Sequence, residues 1–435
     1  MQTRYTDAIP LASRPNLEQY KTLAKDLLKA SRSADAAAVA EWAQAWIERL
    51  ARLGVSKRIS RTVDGIVRDV GQSRLLAADA RPAEPTLAEA QLVIARLHGF
   101  ESWPKFARHV EDRDDAGSPI SRFEAAADAV VNGDVATLQR LLKNDPELVH
   151  ARSTRDHEAT LLHYVAANGH EGFRQRTPKN AVDVARALLE AGAEPDALAD
   201  MYNYRCTTME MLVSSTHPHD AGVQEALVDT LIDYGAAVDG VDGDGSPLMT
   251  AFRFHYPKAA AALLRRGAKV DNILSAAAVG RLDLIDDFVD DNGQLRPDAP
   301  LVQVKWPRLP KDPRVHLGWA LAWGCTFGPS EVVELLLRKG VDPEGRDDDG
   351  TALHTAAGHG RMDLVRLLLQ HGASLESLNE YGGTVLGATL WYAFNAPQER
   401  VDYGTVVREL MELGARVDAY PGLGERVTEL LASRG

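Results

Sequence analysis

Cysteine is nearly missing from this chain: Cys206 and Cys325 are the two among 435 residues, and neither belongs to a C-x-x-C pair. That rules against a disulfide framework and a cysteine zinc site, and it suits a reducing, cytoplasmic setting. Long apolar runs are missing too. Nothing approaches the ~20 apolar residues of a membrane span, and the start, MQTRYTDAIPLASRPNLEQY, has no apolar core of signal-peptide length. Positive charge is in deficit, with 62 Asp and Glu against 49 Lys and Arg and a net charge of −13. Such a molecule repels phosphate backbones, so nucleic acid is a poor partner. The familiar catalytic spellings are also absent: no G-x-S-x-G, P-loop or dinucleotide glycine pattern stands in a strand-turn-helix setting. No cofactor is expected. His217-Pro218-His219 offers two imidazoles but no third-ligand spacing, so no metal is expected either.

What the chain does have is a short helical unit written several times. Residues 350–375 read GTALHTAAGHGRMDLVRLLLQHGASL. Thr351 to His354 starts a helix, Ala356 and Ala357 allow close packing, and Gly360 turns the chain. Leu364, Val365 and Leu367 to Leu369 then build a second apolar helix, which Gly372 stops. This resembles the ankyrin repeat, a helix-turn-helix unit of roughly 33 residues with a T-P-L-H-x-A start. The resemblance implies an all-α solenoid, because one unit cannot bury its apolar face without neighbours on both sides. It also implies a recognition surface for a protein, peptide or small molecule.

Taken in order, residues 1–14 lack periodicity and read as a flexible arm. Asn16 is a candidate N-cap for a helix carrying Leu17, Tyr20, Leu23, Leu27 and Leu28, followed by helices over Asp35 to Leu50, Leu87 to Leu97 and Trp103 to Val110. The spelling AEAQLVIARLHGFESWPKFARHVE looks like the helical leader ahead of ankyrin repeats in many bacterial proteins. Residues 15–112 are therefore an N-terminal helical domain, and the polar stretch 113–120 a linker. Repeats fill residues 121–418. Anchored on turn glycines and second helices, about eight align: Ser121 to His150, Asp156 to Ala197, Asn203 to Gly240, Asp242 to Asp271, Asn272 to Asp298, Val315 to Pro343, Asp347 to Ser377 and Glu380 to Val417. Residues 419–435 form a polar cap. Glu158 to Asn180 looks like a spelling shared by a group of bacterial ankyrin-containing proteins, and consensus repeats lack its insertion; Ala299 to Arg314 is a second insertion.

In an ankyrin stack the first helices line a concave face. At the positions that face outward there, six rings accumulate: Tyr164, Phe254, Trp323, Phe327, Trp391 and Tyr392, in a chain that is 6% aromatic. They either wall a binding groove or are covered as extra core by the insertions. Asn168, Arg253 and His359 share that face. Around repeats two and three lie Arg152, Arg155, His157, Arg174, Arg176, Lys179 and Arg205, and the second insertion adds Lys305, Arg308, Lys311, Arg314 and His316. They either form a solvated face or bind a carboxylate or phosphate, which arginine grips bidentately. Two functions follow. One is a binding module holding a partner protein, a peptide or a small anionic or aromatic ligand; the other is an enzyme in the same groove, with His359, Glu158, Glu210 or Tyr164 moving protons. His163 and His354 sit where the ankyrin histidine bonds a neighbouring loop, and Cys325 where a small core alanine would be.

Overall fold

Asn16 opens the first helix as its position implies: its side-chain carbonyl accepts the Glu18 N–H at 2.8 Å. The computed structural model describes residues 8–11, 15–33, 35–52, 63–73, 85–115, 117–304, 308–419 and 421–433. The chain divides into two compact units, Met1–Gly267 and Ala268–Gly435. Among the described residues no helix is long and apolar enough to cross a membrane.

The first unit begins with helices Leu17–Arg32, Ala36–Arg52, Val63–Gly71, Leu87–Leu97 and Trp103–Asp114. Val63–Gly71 is an addition to the sequence reading. Its apolar positions Val63, Ile66, Val67 and Val70 keep helical spacing, and Ile66 and Val70 are fully buried. These helices close over Tyr20, Trp42, Trp46, Phe100 and Phe106, with His98 stacked on Phe106 at 5.2 Å. His98 Nδ1–H donates to the Ile9 carbonyl at 2.6 Å, and the Ile9 N–H donates to Leu97 at 2.8 Å. Ala8, Ile9 and Leu11 are buried. The flexible arm is therefore corrected for residues 8–11, which burial and two backbone bonds tie down; residues 1–7 and 12–14 lie outside the described residues.

Each aligned repeat contains a helix pair. In the first unit these are Pro119–Asn132 with Val135–Asn144, the 3-10 turn Leu161–Ala166 with Ala181–Glu190, Thr208–Leu212 with Gln224–Asp233, and Ser246–Arg253 with Pro257–Arg265. In the second they are Ile273–Val279 with Leu282–Phe288, Pro313–Thr326 with Ser330–Arg338, Ala352–Gly358 with Met362–Gln370, and Val385–Asn395 with Tyr403–Glu412. Within each unit first helices pack on first helices, and second helices on second helices up to Met362–Gln370. The stretch read as a polar cap holds helix Leu423–Ser433, whose Leu423, Val427 and Leu430 are buried against Val385–Asn395.

The T-x-x-H spelling has a physical job. The Thr351 N–H donates to His354 Nδ1 at 3.2 Å, satisfying an orphan donor at the helix start, and His354 Nε2–H donates to the Gly383 carbonyl of the next repeat at 3.2 Å. His163 does the same with Thr160 and the Cys206 carbonyl, at 3.2 and 3.3 Å. Repeat two departs from the pattern in being 3-10: Ala167 sits left-handed at φ 50, and Gly169 at φ +78 passes where a Cβ would lie 2.4 Å from Met201 Sδ. Its insertion returns to the fold instead of leaving it.

Replacing His354 by Ala removes both a cap and an inter-repeat bond, so it should cost about 1–3 kcal/mol, whereas His371→Ala, on an exposed ring, should be neutral. Thermal denaturation of the two variants checks this, and equal melting temperatures would refute the capping role.

Candidate functional site

Two glutamates and two arginines meet in the interior of the first unit. Glu124 comes from helix Pro119–Asn132, Arg155 from the loop after repeat one, and Glu171 and Arg174 from the insertion of repeat two. Each arginine touches each glutamate. Arg155 Nη1 lies 2.6 Å from Glu124 and 2.9 Å from Glu171, while Arg174 lies 3.0 Å from Glu124 and 3.4 Å from Glu171. All four side chains are at most 4% exposed. Asp128 accepts from Arg174 Nε at 2.9 Å, and the Tyr164 hydroxyl donates to Glu171 at 3.3 Å. The leader closes the ring from its own side: Phe100 lies under the Arg155 guanidinium at 5.4 Å, Arg113 is 3.7 Å from Glu124, and His109 Nδ1 is 2.7 Å from Thr154 Oγ1.

The electrostatics follow from that geometry. Burial alone would raise the pKa of Glu124 and Glu171, but Arg155 and Arg174 at Glu124, and Arg155, His157 and Arg174 at Glu171, overrule it and hold both well below the usual carboxylate range. Burial, then Glu171, pushes the Tyr164 hydroxyl well above its usual value. Burial lowers His109 and His170 to about 3 and His163 to about 4. These rings stay neutral inside the fold.

The residues singled out in the sequence therefore separate. Arg174 and Tyr164 are corrected: they are sealed inside the ion ring, where the carboxylates that arginine grips are the protein's own. Arg176 is half-buried and donates to the Val131 and Phe173 carbonyls and to Asn132, whereas Lys179 is exposed. Asn168 donates to Ser214 and accepts from Tyr202. Glu210 caps its own helix, accepting the Thr207 N–H at 2.8 Å, and Glu158 is an exposed loop residue whose carbonyl accepts from Arg152. Of the rings, Trp323 is corrected as well: it is 4% exposed, packed between Trp319 and Phe327. Helix Pro313–Thr326 is apolar on all sides and is buried accordingly. Phe327 and Arg253 are half-buried, and Phe254 is exposed. Cys206 and Cys325 are buried, and burial pushes the Cys325 thiol up to about 12. His316 is buried and pins the second insertion, accepting the Val302 N–H and donating to Pro310. Lys305 lies outside the described residues.

Trp391, Tyr392 and His359 do come together, in the second unit. Trp391 is 52% exposed, and its ring stands at 84° to that of Tyr392 with centroids 5.5 Å apart. The His359 ring lies 6.2 Å beyond Tyr392, and its Nδ1–H donates to the Thr355 carbonyl at 2.9 Å. Around Trp391 and Tyr392 opens a cleft of about 470 Å³ whose lining includes Tyr381, Asp349, Asn379 and Arg426. Tyr381 was missed: it is not on a first helix but at the tip of the preceding loop, where it is 85% exposed. Gly358 makes room for this wall, since a Cβ there would stand 2.8 Å from the Tyr392 ring.

Family models agree with the repeat assignment. A model of three ankyrin repeats matches residues 320–420 and a single-repeat model matches residues 157–200. These two stretches carry ankyrin repeats. It is similar to the ankyrin repeat and KH domain-containing protein mask-1 of Caenorhabditis elegans, 29% identical over 200 residues, which is 44% of this chain and 7% of that protein. It is also similar to the E3 ubiquitin-protein ligase hecd-1 of the same organism, 42% identical over 64 residues, 15% of this chain and 2% of that protein. The chain thus spans a small part of these relatives. Among solved structures, the human ASB11 ankyrin repeat domain aligns over 66% of this chain and 96% of its own, at 18% identity and a TM-score of 0.33.

Two outcomes test the buried charges and the buried histidines. Glu171→Gln leaves two buried arginines sharing one buried carboxylate and should cost about 3 kcal/mol or more by chemical denaturation; a loss below 1 kcal/mol would mean that water reaches the ring. Second, His109, His163 and His170 resist protonation in the fold but accept it near the ordinary value of 6.5 once unfolded. The unfolded state then binds more protons, so their contribution is complete above pH 6.5 and is lost as pH falls towards 4 and 3. Urea midpoints should decline steadily from pH 7 to pH 5, and a flat profile would show these rings already charged in the native protein.

Proposed function

We propose that this chain is a protein-recognition module and that the cleft walled by Tyr381, Trp391 and Tyr392 takes a peptide segment of its partner. The exposure of Trp391 and Tyr381 around one cleft carries this reading, because a solvated face gains nothing from presenting two large rings to water. Ankyrin repeats as a class mediate protein–protein interaction, and the cleft falls within the matched repeats 320–420 apart from Arg426. Tryptophan and tyrosine supply much contact area for few rotatable bonds, which is why such residues dominate binding energy at interfaces.

An anionic ligand fits this cleft poorly. Burial, and then the charges of Asp349 and Asp347, push the Tyr392 hydroxyl up to about 12, so an anion beside that ring would meet the charges of two carboxylates. The catalytic alternative gains no support either. Glu210 is engaged as a cap, Tyr164 is held in the ion ring, Glu158 stands in an exposed loop, and His359 already donates to its own helix.

Panning a random peptide library against the immobilised full chain tests the proposal. Enrichment of one motif that Trp391→Ala loses by tenfold or more, about 1.4 kcal/mol, at an unchanged melting temperature, is the expected outcome. No enrichment, or enrichment indifferent to Trp391, would sink it.

A further inference from the structure

The cleft of the second unit has a shape and a charge that go beyond aromatic stickiness. Its Trp391 and Tyr392 rings meet at 84°, forming a corner with two π-faces, and Tyr381 stands over the same space from the preceding loop. The electron-rich faces of such rings attract cations, tryptophan most strongly. Asp349 supplies a carboxylate to the lining. One turn further along the same helix the protein uses the same attraction internally: the Arg426 guanidinium lies 5.1 Å over the Phe394 ring. Among the described residues no cation of the chain stands over Trp391 in that way.

Resting on the recognition function just argued, we propose that the group anchoring the partner in this cleft is the ammonium of a lysine side chain. A perpendicular corner suits a compact, round cation that can face two rings at once, whereas a planar guanidinium prefers one ring face, as Arg426 does on Phe394. The butyl stem of lysine lies along the apolar part of the walls while its charged end meets Asp349. Arg426 is the like charge in the lining and opposes this cation. The Arg426 guanidinium is taken up on Phe394, whereas Asp349 and Asp347 both act on the Tyr392 hydroxyl, so the ammonium belongs on the Tyr392 side of the cleft.

A positional-scanning peptide library, with one position fixed in turn as each amino acid, reads the anchor directly on the full chain. Lysine should be preferred over norleucine, which keeps the butyl stem and lacks the ammonium, by about fivefold or more. Asp349→Asn should erase that preference, Arg426→Gln should strengthen it, and Trp391→Leu should lose lysine binding more than norleucine binding. Trp391 and Arg426 are exposed and Asp349 is half-buried, and unchanged thermal melts will establish that each variant is folded. Equal retention of lysine and norleucine, or preference for an acidic or apolar residue in a Trp391-dependent complex, would overturn the lysine anchor while leaving the recognition module standing. Arginine outranking lysine would overturn the corner argument. No retention of any peptide would remove both.

Discussion

The first unit depends on a neutral set of charges that water does not reach. Glu124, Glu171, Arg155 and Arg174 are two anions and two cations, each in contact with both opposite partners. Moving any one of them alone from water into a protein interior is prohibitive, and only the complete set makes the burial tolerable. The arrangement is therefore all-or-none. It requires helix Pro119–Asn132, the loop after repeat one and the insertion of repeat two to be in register before any member is satisfied. The leader enters the same condition, since Phe100 and Arg113 approach the ring and the Glu101 N–H donates to Asp156 beside it at 2.8 Å. A polar network of this kind adds less to stability than an apolar core of equal volume, but it discriminates sharply against wrong packings.

This accounts for the departure of repeat two from the ankyrin pattern. A consensus first helix would continue through residues 167–169, whereas here Ala167 turns left-handed and the chain runs into Gly172–Arg174, which delivers Arg174 to Glu124. The inward turn also buries His170, whose Nδ1 lies 3.7 Å from Glu171 and whose ring lies 4.4 Å from that of Tyr164. The short 3-10 turn is the cost of bringing a second carboxylate and a second guanidinium inside. Once they are there, the Thr160–His163 cap still holds the repeat to its neighbour through Cys206.

The helix pairs were legible because each repeat writes its cap, its turn and its apolar second helix at fixed spacing, and these are local signals. The partner of a charge is not local. Arg155 and Arg174 read as a surface cluster, while the residues that neutralise them lie 31 and 50 positions away in one case and three in another. One sign was available: Glu124 interrupts the apolar set Phe123, Ala126, Ala127 and Val130, all of which are buried. A carboxylate in such a stripe has to be matched inside. The rings were ambiguous for a related reason. Helices Pro313–Thr326 and Val385–Asn395 are both apolar around their whole circumference, yet Trp323 is 4% exposed and Trp391 is 52% exposed. Periodicity cannot separate them, because what decides exposure is the neighbouring chain and not the helix itself.

The second unit turns the same chemistry outward. Its wall is fixed before any partner arrives: Gly358 leaves space for the Tyr392 ring, and the Tyr403 hydroxyl, fully buried, donates to the Gly358 carbonyl at 3.0 Å. Tyr392 is thus held by its backbone neighbour and by the His359 ring, while Trp391 stands half in water beside it. A ring held in place loses little entropy on binding, and a ring left in water has apolar area still to bury. In the first unit cation, anion and ring meet one another inside the fold, as Arg155 does with Glu124 and Phe100. In the second, the Trp391 and Tyr381 rings stand exposed around a cleft, so apolar area is left for a partner to cover.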